Sequence, residues 1–144
     1  MENCGEGALV DWKRALMGIR VLVADDAELI RRGIKTLLKD RGDISVIGEA
    51  SNLPETIQKA AELLPDVIII DLRMAANVNG ELNHLTNGPM LVVISFDIGE
   101  TADADAKKLG AMKFIDKTHL ANDLIPTLLQ ISPRINLSNA VTST

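Results

Sequence analysis

The chain has 144 residues, 47% hydrophobic and 24% charged, which suffices for one folded unit with a core of its own and leaves no room for a second. Its formal net charge is −5 with Lys and Arg scattered, so no basic stripe follows a phosphate backbone and no direct contact with nucleic acid is expected. A lone Cys4 rules out an internal disulfide or a thiolate metal cage, and no run approaches the ~20 apolar residues of a membrane span.

Residues 1–18 read as an N-terminal extension. Glu2, Glu6, Asp11, Lys13 and Arg14 leave no apolar core of the kind a signal peptide needs, so a soluble, cytoplasmic protein is expected. Leu9, Trp12, Leu16 and Met17 fall near helical spacing, which fits a short amphipathic helix or a frayed leader.

From Ile19 the pattern is regular. Ile19 to Ala24 reads as a strand ending on two acids, Asp25 and Asp26. Leu29, Ile30, Gly33, Ile34, Leu37 and Leu38 recur at steps of three and four, predicting a helix over 27–39 that Gly42 and Asp43 break. Ile44 to Ala50 is a second strand. Ser51 to Glu55 starts a helix with Pro54 in its first turn, where the missing N–H costs little, and Pro65 stops it.

The stretch from Pro65 to Met74 is where chemistry is expected. Val67, Ile68, Ile69 and Ile70 form a short strand buried on both faces, which belongs in a parallel sheet with helices above and below. It delivers Asp71 at its carboxyl end, the side on which open α/β sheets bind their ligands. Asp71 is therefore the candidate reactive residue, although an acid in that place also serves simply to end a strand and cap a turn.

Residues 75–88 are rich in Asn and Gly and predict at most a turn of helix from Glu81 to Leu85. Pro89 to Phe96 is a fourth strand, ending on the hydroxyl of Ser95. Glu100 to Leu109 is a helix closed by Gly110 in a left-handed cap. Lys113 to Lys117 is a fifth strand, and Leu124, Leu128, Leu129 and Ile131 mark a last helix. Residues 132–144, nearly uncharged, read as a tail or truncated linker. His84 and His119 stand apart without metal-ligand spacing.

Such alternation implies a parallel sheet whose one edge gathers Asp25, Asp26, Asp71, Ser95 and Lys117. Crowded carboxylates repel and favour a hard divalent cation, and oxygen ligands with room for water suit Mg²⁺. Asp71 is then placed to attack phosphorus and form an acyl phosphate, with Lys117 adding positive charge and Ser95 a hydroxyl for a phosphoryl oxygen.

On Val23 to Gly33, Val46 to Asn52, Asp66 to Met74, Ser95 and Phe114 to Lys117, the chain resembles the receiver domain of two-component response regulators, most closely the NarL/FixJ type. The resemblance implies a flavodoxin-like (CheY-like) three-layer α/β sandwich with a five-stranded parallel sheet of order 2-1-3-4-5, and a receiver domain over residues 19–131. It implies phosphorylation of Asp71 by a histidine kinase or phosphotransfer protein, in a chain that is no enzyme beyond its own phosphorylation and dephosphorylation. Asp25, Asp26, Asp71 and the main-chain carbonyl of Arg73 would hold Mg²⁺, and Phe114 would be the aromatic that turns inward when Ser95 moves toward the phosphoryl group. The output domain of a NarL-like regulator, which binds DNA, is absent from this chain.

Departures from the family pattern bear on that expectation. Ala75 stands where a Pro is usual, Asn79 where a Gly is usual, and the interval from Asp71 to Ser95 is short. The third helix is therefore expected to be short or missing, baring part of one sheet face for a homodimer or partner contact. Phe96 is bulkier than the small residue common after the hydroxyl and narrows access to Asp71. Together these features motivate a second reading, an interaction or dimerisation module that keeps the fold without control by phosphate.

Overall fold

A computed structural model describes residues 18–76 and 88–143, and for Ala76 and residues 132–143 the backbone alone. Its strands β1 (Ile19–Ala24), β2 (Ile44–Ala50), β3 (Val67–Asp71), β4 (Met90–Ser95) and β5 (Ala111–Asp116) form one parallel sheet in the order β2-β1-β3-β4-β5. Between them run α1 (Glu28–Leu38), α2 (Leu53–Leu63), α3 (Leu72–Ala76) and α4 (Glu100–Lys108), and α5 (Leu120–Ser143) follows. This is the expected flavodoxin-like arrangement.

Two cores form because strand side chains alternate between faces. On one face Val21, Val23, Ile69, Val92, Ile94 and Ile115 pack with Ile34 and Leu38 of α1 and with Leu124, Leu128 and Ile131 of α5. On the other, Leu22, Ile68, Ile70, Leu91 and Val93 pack with residues of α2, α3 and α4. Every residue of β3 is buried, as the unbroken β-branched run requires. The register then levels the strand ends: Ala24 pairs with Ile70, Asp71 with Ile94 and Ser95 with Asp116, so the residues at these ends share one rim.

Local chemistry fixes the connections. Asn52 caps α2 by accepting from the Glu55 N–H at 2.8 Å. At its other end Leu64 is left-handed, φ 51°, because the following Pro65 disfavours a helical conformation there. The Arg20 guanidinium donates to the carbonyls of Leu63 and Leu64 at 2.8 and 2.7 Å, giving the end of α2 its acceptor partners. Gly110 takes the left-handed position expected of it, with φ 80°.

The structure corrects four expectations. Leu72, Arg73, Met74, Ala75 and Ala76, all good helix formers, turn into α3 directly after Asp71, where no helix was expected before Glu81. Lys117 lies just past β5, at the start of a 3₁₀ turn over Lys117–His119, where the Asp116 carboxylate accepts from the Thr118 N–H. Past residue 131 the backbone stays helical to Ser143 where a tail was expected, and no glycine after Gly110 offers a stop. Among the described residues of that sheet face, Ile68, Ile70 and Val93 are fully buried and Leu91 nearly so, where a partly bared face was expected. The expected turn at Glu81 to Leu85, with Asn79 and His84, lies outside the described residues, as does the amphipathic segment before Gly18.

Candidate functional site

At the carboxyl rim of β1, Asp25 follows Ala24 and is fully buried. Its Oδ1 accepts from the Ala27 N–H at 2.8 Å, and its carbonyl accepts from Arg31 Nη1 at 2.7 Å. These contacts fix the turn into α1 and aim the other carboxylate oxygen at the rim. Asp71, the last residue of β3, is 4% exposed, and its Oδ2 accepts from the Met74 N–H at 3.2 Å. The acid thus does the work of a cap for α3 as well as ending the strand.

Lys117 joins the two acids. Its Nζ lies 2.6 Å from Asp25 Oδ2 and 2.6 Å from Asp71 Oδ1, with its side chain 6% exposed. Asp25 Oδ2 has the ammonium at contact distance yet receives no hydrogen bond of good angle, so charge is what holds it. Burial pushes the Asp25 carboxyl above its ordinary value, against the pull of Lys117 and of the Ala27 N–H. Burial alone would lower the Lys117 ammonium, but its contacts with Asp25 and Asp71 prevail and raise it.

The other sequence candidates fall around this trio. Asp26 is exposed, and among the described residues no group of three or more His, Cys, Asp or Glu side chains is gathered closely enough to make a ready metal cage. Ser95 ends β4 almost fully buried, and its Oγ accepts from the Asp97 N–H at 2.9 Å. Arg73 is the second residue of α3, its side chain in solvent with Nη2 3.9 Å from Asp97 Oδ2. Phe114, on β5, is half-buried against the second core and also lines an open cleft with Ile98 and His119.

Two contacts escaped the sequence reading. Lys117 was assigned to an incoming group and not to Asp25, and nothing in the pattern foretold that the Phe96 ring centroid would lie 5.1 Å from Lys117 Nζ. The bulk of Phe96 after Ser95 was the available signal.

The donor set suits a hard cation. Two buried carboxylates with one ammonium between them carry an excess negative charge, and Asp25 Oδ2 is an anionic oxygen short of a hydrogen-bond donor. Mg²⁺ commonly binds through one or two carboxylates while keeping several waters, so it does not require a closed protein cage.

The response regulator receiver domain model matches residues 21–129. The transcriptional regulatory protein LiaR of Bacillus subtilis is 34% identical over 110 residues, 74% of this chain and 52% of LiaR. The nitrate/nitrite response regulator protein NarL of Escherichia coli is 34% identical over 128 residues, 85% of this chain and 59% of NarL. This chain therefore spans between half and three fifths of the length of these two relatives. Among solved structures, the response regulator domain of Thermotoga maritima CheB superposes with a TM-score of 0.61 at 32% identity, covering 85% of this chain and 94% of that domain.

Proposed function

Because this chain belongs to the response regulator receiver domain family, we propose that Asp71 accepts a phosphoryl group from a histidine kinase or phosphotransfer protein, and that its phosphorylation switches a partner or output surface. The observation that carries this reading is the single ammonium of Lys117 set 2.6 Å from both Asp25 Oδ2 and Asp71 Oδ1 at the carboxyl rim of the sheet.

Transfer forms a bond between phosphorus and an Asp71 oxygen as the bond from phosphorus to the donor breaks, and the donor leaves with the electron pair. Lys117 holds the acceptor carboxylate in place and supplies fixed positive charge to the phosphoryl oxygens, in a site where burial strengthens the attraction. Ser95 Oγ already accepts from the Asp97 N–H, which leaves its own proton to give to a phosphoryl oxygen. Asp25, Asp26, Asp71 and the main-chain carbonyl of Arg73 would hold Mg²⁺, which would supply further neutralising charge. Phe114, half-buried beside an open cleft, is the group through which movement of Ser95 reaches the surface.

The chain has no separate substrate to turn over in this reading. The unit that switches is residues 19–131, working in the cytoplasm, with residues 1–18 and 132–144 outside it. Among the described residues no helix is long and apolar enough to cross a membrane. The net charge of −5 assigns any contact with DNA to an output domain.

Incubation with acetyl phosphate and Mg²⁺ tests the proposal by intact mass. One phosphoryl adduct is expected, absent from Asp71→Asn and from samples with chelator. An unmodified mass, under conditions that label an ordinary receiver, overturns it in favour of an interaction module free of phosphate control.

A further inference from the structure

Phe96 is 60% exposed, whereas Lys117, over which its ring lies at 5.1 Å from the centroid, has a side chain 6% exposed. Exposure alone is ordinary, since Leu29, Leu64 and Ile98 are exposed as much or more; what distinguishes Phe96 is the buried ammonium beneath its ring. The ammonium has three donors and meets two carboxylate oxygens. The third direction is available to the ring, whose negative face attracts a cation, and more so where water is kept away.

The chain of contacts is therefore Asp71, Lys117, Phe96, from an acceptor 4% exposed to a cover that is 60% exposed. The acid and the lysine are fixed by packing, while the ring borders solvent and is the member with space to move. Phe96 also sits between Ser95, which ends β4, and Asp97, whose N–H binds Ser95 Oγ, so its backbone is anchored on both sides.

We propose that Phe96 is a positioning residue that holds the Lys117 ammonium against Asp25 and Asp71 and shields the acceptor, slowing both attack by small phosphodonors and hydrolysis of the aspartyl phosphate. In the hydrolysis, a water oxygen bonds to phosphorus as the bond from phosphorus to the Asp71 oxygen breaks. The carboxylate leaves with the electron pair, the water proton passes to solvent, and inorganic phosphate is released. With the ring 5.1 Å from Lys117 Nζ, a water approaching phosphorus beside the lysine would pass along the ring. The inference rests on Asp71 being the phosphoacceptor.

Two measurements on the full chain test it, with Phe96→Ala and the conservative Phe96→Tyr compared with the parent protein. With acetyl phosphate and Mg²⁺, labelling of Phe96→Ala is expected to be several-fold faster and its phosphoryl lifetime several-fold shorter, while Phe96→Tyr keeps parent behaviour. In metal-free protein, acetylation of Lys117 by acetic anhydride, read by peptide mass, is expected to rise several-fold in Phe96→Ala alone. A parent protein that takes no phosphoryl group sinks the phosphoacceptor reading and this inference with it. A parent that labels normally, with Phe96→Ala unchanged in phosphoryl lifetime or in Lys117 acetylation, overturns the inference alone.

Discussion

Lys117 reaches Asp25 at 2.6 Å although the strands that precede them, β5 and β1, are separated in the sheet by β3 and β4. The same ammonium touches Asp71, so the lysine ties together three of the strand ends that make the rim.

Removing it should expose the cost of keeping two carboxylates out of water. Lys117→Ala is expected to lose about 3 kcal/mol of stability at neutral pH, because the partners of a broken buried pair stay behind uncompensated. Urea unfolding of Lys117→Ala in the parent and in an Asp25→Asn background is the check. The loss should be much smaller in the second background, and equal losses in both would show that the two side chains act independently.

Asp25→Asn should move stability the other way. Burial raises the Asp25 carboxyl above its ordinary 3.8, so its contribution is full below that value and is lost as pH rises through the raised folded-state value. At neutral pH the charge is a burden that a neutral amide lacks, while the amide oxygen still accepts from the Ala27 N–H. A gain of about 1 kcal/mol, a few degrees in Tm, is expected in metal-free buffer together with loss of phosphoryl labelling. A lower Tm in calorimetry would contradict the sign.

Glu49 gives the opposite pH dependence. Hydrogen bonding from Lys35, aided by Arg31, holds its carboxyl below the ordinary 4.5 in spite of partial burial. The stabilisation is present above 4.5 and lost as pH falls through the depressed folded-state value. Because the side chain is 34% exposed, solvent screening keeps the effect of Glu49→Gln to about 0.5–1 kcal/mol. The difference from the parent should be full at pH 7 and vanish in acid, and a gap that persists at low pH would point to packing.

Gly18 cannot accept a side chain. It has φ +96°, and an added Cβ would stand 2.0 Å from the Asp43 carbonyl oxygen, which accepts from the Ile19 N–H. Gly18→Ala is expected to cost roughly 2–4 kcal/mol, by strain and by displacement of the turn that starts β1. Chemical denaturation measures it, and a loss below about 1 kcal/mol would mean the turn yields easily.

What could be read in advance follows from the strength of each local signal. The Val67 to Ile70 run admits hardly any reading but a buried parallel strand, and it placed Asp71 correctly at the rim. Ser95 and Asp25 followed for the same reason, each standing where an apolar run stops. The abrupt start of α3 was missed because strand and helix signals overlap at Leu72 and Met74, and propensity decided for helix only after Asp71 had ended the strand. The bridge from Lys117 to Asp25 was invisible because strands spaced ~4.8 Å apart put their ends far from one another, and only the lysine's long stem closes that gap. Phe96 was legible as bulk, not as a partner for a cation.

The 3₁₀ turn that begins at Lys117 passes without interruption into α5, whose 24 residues make a rod about 36 Å long. The lysine that touches both acids is thus covalently continuous with a helix whose Leu124, Leu128 and Ile131 are seated in the first core, so a shift beside the carboxylates is handed to that core along a single element.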